Sequence, residues 1–249
     1  MSEIPKFIKK KNKDGDDCLI LNPEYEKYRV RQRYSIYLKK SGIPPFYYDI
    51  EFDDYFGEKN SEAYKTIISY ANNLDSETTN FSHLYLYGNN NTQKTALACN
   101  ILKTGMRKGL KAKFVSAGVL ISKLMKVQGY STDYEADKFI TDLKNSKVLC
   151  IDDIFDSNKT LFWKREESKH LIIAEWDTFL REIVSSNTKL ILTSNFYIDN
   201  IKNDYSGSLF ELIDRNFITL ELTENVKRQR KSDLIKAISN DTISENECT

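Results

Sequence analysis

From residue 83 to residue 223 the chain alternates short apolar runs with longer stretches whose apolar positions recur every three to four residues. The runs are HLYLYG (83–88), KAKFVSA (111–117), KVLCIDD (147–153), KLILTSN (189–195) and FITLELT (217–223). Such short apolar runs, bounded by polar residues or glycine, predict strands buried on both faces. Between them, Leu97, Ile101, Leu102 and Met106 share one stripe of a helix over 94–108. Leu120, Ile121, Leu124 and Met125 mark a helix over 118–128, and a short one is expected over about 134–144. Ile172, Trp176, Phe179, Leu180 and Ile183 mark a long helix over about 166–186, and another is expected near 206–214. Strands alternating with helices need crossover connections, so the expected fold class is α/β, with a mostly parallel sheet covered by helices on both faces.

Upstream the pattern differs. Residues 1–17 are polar and charged and are expected to be mobile. EYEKYRVRQRYSIYLKKS (24–41) predicts a helix in which Tyr25, Tyr28 and Ile36 are interleaved with basic residues. Gly42 and the Pro44–Pro45 pair stop it. A helix over 61–73 follows, with Ser61 as its N-cap. A basic helix is expected after the last strand. The sequence thus divides into an N-terminal basic-aromatic element (1–45), a core (46–240) and a polar tail (241–249).

Composition narrows the function. The 249 residues suffice for one sizeable α/β domain plus a small element, and 40% apolar content supplies a core. A net charge of +1 excludes a polycation, so any nucleic-acid contact must come from local patches. Four prolines and nine glycines argue against long disordered linkers. Cys18, Cys99, Cys150 and Cys248 form no C-x-x-C pair, and His83 and His170 are the two histidines, which argues against structural zinc. No apolar stretch is long enough for a membrane span, and Met1–Lys13 is lysine-rich without an apolar signal core. A reducing, cytoplasmic setting is expected.

The chemistry concentrates at strand ends. Gly88-Asn89-Asn90-Asn91-Thr92-Gln93-Lys94-Thr95 follows one strand and opens one helix. That is the setting of a phosphate loop, where backbone N–H groups at a helix start surround phosphates. Gly88, Asn91, Thr92 and Gln93 would shape the cradle, Lys94 would reach the β and γ phosphates of ATP, and Thr95 would coordinate Mg2+. Glycine usually precedes the lysine, because the backbone must approach phosphate closely, and here Gln93 stands in its place. Asparagine tolerates left-handed backbone, which partly compensates. The alternative is an asparagine-rich turn followed by Lys-Thr.

VLCIDD carries Asp152 and Asp153 to the carboxyl end of a buried strand, where open α/β sheets bind ligands. Asp152 would hold magnesium, directly or through water, and Asp153 would polarise the attacking water. The alternative is a pair of carboxylates capping the next segment. Asn195, ending KLILTSN, would orient that water beside the γ phosphate, or simply form a Ser-Asn turn. Arg215 would act as an arginine finger on a neighbouring subunit's nucleotide, or form a surface ion pair with Asp214 or Glu211. Within NVKRQRK (225–231), Arg228 would touch the γ phosphate of its own subunit, the alternative being a solvated basic face.

Taken together, SGIPPFYYDIEFDDY, YGNNNTQKTALA, VLCIDDIF, LILTSNF, LIDRNF and VKR resemble, in order and spacing, the DnaC/IstB-like branch of the AAA+ ATPases, from about Ser41 to Lys231. Gly42–Pro44 and the TSN ahead of an Asp-Arg pair are the more specific marks. Gln93 departs from the family pattern. The resemblance implies a RecA-like core with little or no lid domain. It implies an ATPase that binds single-stranded DNA, self-assembles and loads a DnaB-like replicative helicase through an N-terminal element, here the helix at 24–41. That helix has packing against the core as its alternative. Lys123, Lys126 and Tyr130 are candidates for DNA contact, and the LFWKRE segment, with Phe162, Trp163, Lys164 and Arg165, would face DNA or a partner, the alternative being that Phe162 and Trp163 tuck under the long helix. An IstB-like transposition helper ATPase and a nucleotide-binding adaptor with weak or no hydrolysis are the competing functions.

Overall fold

The computed structural model describes residues 4–11, 13, 15–76, 83–127, 133–155 and 166–223. The five apolar runs become strands β3 (His83–Tyr87), β4 (Ala112–Ser116), β5 (Val148–Asp152), β6 (Lys189–Ser194) and β7 (Phe217–Glu221), after an N-terminal pair, β1 (Phe7–Lys11) and β2 (Asp17–Leu21). The helices are α1 (Pro23–Lys40), α2 (Glu62–Asn72), α3 (Lys94–Arg107), α4 (Ala117–Val127), α5 (Tyr134–Lys144), α6 (Glu166–Val184), α7 (Ile198–Asp204) and α8 (Gly207–Asn216).

The main sheet has the order β4-β5-β6-β3-β7, and every neighbouring pair is parallel. Alternate side chains feed two separate cores. Leu84, Leu86, Val148, Cys150 and Ile191 pack with α2 and α3, whereas Tyr85, Leu149, Ile151, Leu190 and Leu192 pack with α4, α5, α6 and α8. Burial on both faces explains why these strands read as continuous apolar runs. Burial also pushes the Cys99 and Cys150 thiols up, so both behave as small core residues. Among the described residues no helix is long and apolar enough to cross a membrane.

Residues 1–17, expected to be mobile, instead supply β1 and the first residue of β2. β1 and β2 pair antiparallel from Phe7↔Leu21 to Lys11↔Asp17, around a turn in which Gly15 has φ 92°. Every β1 side chain is exposed. With no buried face, lysines fill positions that in a packed strand would be apolar, and the alternation that marks a strand is lost. Asn22 then caps α1, its Oδ1 accepting from the Glu24 N–H at 3.0 Å, with Pro23 in the first turn. α1 leaves Tyr28, Val30, Ile36 and Tyr37 exposed and buries Leu38. Ser61 caps α2 as expected, accepting from the Tyr64 N–H at 3.2 Å.

The segment between α1 and α2 matters for the site. Gly42 takes φ +87°, and a Cβ there would collide with the Phe114 carbonyl oxygen, so the chain hugs β4 as it leaves α1. It then crosses α3 as a strap through two 3-10 turns, Pro45–Tyr47 and Phe52–Asp54. The buried Lys103 ammonium of α3 donates to the carbonyls of Tyr48, at 3.3 Å, and Ile50. Burial pulls the Lys103 pKa down, and Glu51, 3.5 Å away, opposes that shift. Partial burial raises the Glu51 carboxyl, yet the hydrogen-bonded Arg107 and nearby Lys103 hold it below the usual carboxylate range.

His83 ties two strands together. Its Nδ1 accepts from the Leu190 N–H at 3.1 Å, and desolvation lowers its pKa to about 4. From pH 6.5 down to about 4 the unfolded chain binds a proton here that the native state refuses, so stability is full above that window and falls as pH drops through it. The loss between pH 7 and pH 5 comes to about 2 kcal/mol. Urea melts at the two pH values should show a drop of that size in wild type and a much smaller one in His83→Gln.

Candidate nucleotide-binding site

The phosphate loop leaves β3, the strand flanked by β6 and β7. Gly88 is required at its start: φ is +140°, and a Cβ would strike the Leu222 carbonyl oxygen where the chain leaves β7. Asn91 and Gln93 adopt left-handed φ values of 67° and 61°, so side-chain-bearing residues hold conformations that glycine usually supplies. The Thr92 hydroxyl donates to the Asn89 carbonyl at 3.0 Å. Lys94 opens α3 and is buried, its Nζ donating to the carbonyls of Gly88 at 2.8 Å and Asn89 at 2.7 Å and to the Thr92 hydroxyl at 3.2 Å.

The acid pair of β5 lies one strand away, across β6. Thr95 Oγ1 donates to Asp152 Oδ1 at 2.8 Å, so the two candidate metal-holding residues touch. Thr193 of β6 donates its hydroxyl to the same oxygen at 2.6 Å and accepts from the Asp153 N–H at 3.0 Å. That second bond helps hold Asp153 at φ 57°, turned off the strand end. Asp153 and Asn195 line the same cavity of about 430 Å³ as Asn91, Thr92, Gln93, Lys94 and Thr95.

Hard oxygen donors from one carboxylate and one hydroxyl, beside a buried ammonium, suit a Mg2+ ion that also takes nucleotide oxygens and waters. Among the described residues no group of three or more His, Cys, Asp or Glu side chains forms a protein-only metal cage.

Several cavity residues were missed by the sequence reading. Phe46, Tyr47, Ile50 and Phe56 bring aromatic and apolar surface to the lining from the strap. The Tyr47 hydroxyl lies near Thr95 and Asp152, and burial, reinforced by Asp152, raises its pKa. Thr193 carries one usable signal, a polar residue ending an apolar strand. The strap residues carry none, because their distance from the loop in sequence hides the contact.

Other candidates lie elsewhere. Arg215 does not line its own chain's cavity; its side chain is 74% exposed and sits 3.4 Å from Glu211. Lys126 lies 3.8 Å from Asp133, and Lys123 stands over the Phe139 ring. Arg228, Tyr130, Phe162, Trp163, Lys164, Arg165 and the 241–249 tail fall outside the described residues.

The strand order and the loop that joins the first core strand to the start of a helix define an α/β P-loop fold. No protein-family model matches the chain, and no curated protein does. Solved structures do. The chain is similar to the crystal structure of the DnaC helicase loader, with TM-score 0.56 and 21% identity over 72% of this chain and 99% of that one. It is similar to DnaI, with TM-score 0.56 and 18% identity over 74% and 94%. It also matches AMPPCP-bound DnaA from Aquifex aeolicus, with TM-score 0.55 and 18% identity over 82% of this chain. It spans 57% of that DnaA's length. At such identities the likeness is one of fold, and it lies with replication AAA+ domains, in line with the resemblance read from the sequence motifs.

Proposed function

We propose that this chain is a Mg2+-dependent ATPase of DNA replication, which loads a DnaB-like helicase onto single-stranded DNA. The observation that carries the nucleotide reading is the Thr95–Asp152 contact, with Thr95 lining the same cavity as Lys94, Asp153 and Asn195 and Asp152 lining the adjoining cavity that shares Thr95 and Tyr47. The loader reading is supported by the fold shared with the DnaC helicase loader and DnaI.

Lys94 exchanges its loop carbonyls for the β and γ phosphates, while N–H groups at the start of α3 add to the cradle. Thr95 and Asp152 hold Mg2+, which when bound neutralises phosphate charge. Asp153 accepts a proton from the attacking water, and Asn195 orients that water. Arg215, exposed and outside its own cavity, reaches the nucleotide of a neighbouring copy in a self-assembled array. Arg228 contacts the γ phosphate of its own subunit. Residues 46–240 form the ATPase core and 241–249 a tail. The basic-aromatic element, 1–45, grips the helicase from the exposed face of α1. Lys123 and Lys126 follow the DNA backbone. The work is cytoplasmic.

Co-purification with the ring helicase of the same genome, with and without ATP, tests the loading step. The expected result is ATP-dependent capture that is lost when residues 1–40 are removed. Capture of a transposase in place of the helicase would favour the IstB-like helper. Failure of the intact chain to hydrolyse ATP, with or without single-stranded DNA, would favour the adaptor.

A further inference from the structure

Gln93 stands where a glycine normally gives a phosphate loop its left-handed residue, and it adopts that conformation, φ 61°, with a full side chain. The side chain does not cap α3. Its Oε1 instead accepts the Phe56 N–H at 2.9 Å, joining the phosphate loop to the strap. Elsewhere the strap is already fastened. Lys103 holds the Tyr48 and Ile50 carbonyls, and Arg107 pairs with Glu51. The Tyr64 hydroxyl donates to the Phe52 carbonyl at 2.9 Å, and the Tyr55 ring stacks on Tyr64 with centroids 4.9 Å apart. Beyond Tyr55 the chain reaches the lip of the cavity, where Phe56 is 73% exposed and faces the same space as Phe46, 77% exposed.

We propose that Gln93 is a positioning residue of the nucleotide cavity, whose side chain latches the Phe56 end of the strap to the phosphate loop and so sets how long a nucleoside triphosphate is retained. The proposal rests on the nucleotide reading given above. Glycine would satisfy the loop backbone with less strain, since it enters φ > 0 freely. If the glutamine were only a tolerated replacement, restoring glycine would leave nucleotide retention unchanged or improve it. The latch requires the opposite sign. Without the acceptor, the Phe56 end of the lip and its ring are free to swing away from bound nucleotide.

The test uses the full chain with Gln93→Gly and Gln93→Met, the latter keeping side-chain length but not the acceptor. Release of a fluorescent ATP analogue is followed by chase with unlabelled ATP, and exchange of the Phe56 amide is followed in nucleotide-free protein. Both variants should release the analogue about fivefold faster, the factor expected for one lost hydrogen bond, with association little changed. Phe56 should lose its protection in both and keep it in Gln93→Glu, which retains an acceptor oxygen. Unchanged or slower release from both variants while Phe56 loses protection overturns the latch but leaves the nucleotide site standing. Unchanged Phe56 exchange in both overturns the contact itself. Failure of the wild-type chain to bind the analogue overturns the underlying nucleotide reading, and the proposal with it.

Discussion

Asp153→Asn is expected to lower ATP turnover by about 10²- to 10⁴-fold, the range for loss of a positioned general base, while changing nucleotide affinity little. The substitution is nearly isosteric. Asparagine also tolerates the left-handed backbone that Asp153 holds at φ 57°, so the turn after β5 should survive. The Thr193 hydroxyl accepts from the backbone N–H of residue 153, not from its side chain, and that bond is kept. What disappears is the capacity to take a proton from water. Single-turnover hydrolysis, with and without single-stranded DNA, measures the effect. Undiminished turnover would remove Asp153 from the chemistry.

Lys94→Ala is expected to weaken ATP binding ~10²-fold, since hydrogen bonds to charged groups contribute about 1.5–3 kcal/mol each. Without nucleotide, the Lys94 ammonium is spent on the Gly88 and Asn89 carbonyls and the Thr92 hydroxyl. Phosphate oxygens are stronger acceptors than these, and they supply a counter-charge that the carbonyls lack. The variant also leaves the loop carbonyls without their donor, so melting temperature must be measured beside affinity to separate a lost phosphate contact from a loosened loop.

The reach of the sequence followed the physics of each element. The inner strands β5, β6 and β3 were legible because parallel strands buried on both faces read as unbroken apolar runs. Asp152 and Asp153 were legible because they end such a run. Lys94 and Thr95 were legible because they open a helix directly after another. The β1–β2 hairpin was not, since a two-stranded ribbon with no buried face imposes no alternation on Phe7–Lys11. α7, a seven-residue helix at Ile198–Asp204, was too short to show a periodic stripe. Tyr47 and Phe56 were not legible either. They reach Thr95 and Gln93 through the path of the strap, and that path depends on Gly42 turning beside Phe114 and on Lys103 capturing two carbonyls. Gln93 was legible as a departure from pattern, but its partner was not, because the Phe56 N–H is a backbone group with no sequence signature.

The most direct measurement is an equilibrium titration of the intact chain with a non-hydrolysable ATP analogue, in Mg2+ and in EDTA, with Lys94→Ala alongside. The account predicts saturable one-to-one binding to wild type, clearly weaker in EDTA and weaker by ~10²-fold in Lys94→Ala. Equal binding by wild type and Lys94→Ala would contradict it, as would no binding at all.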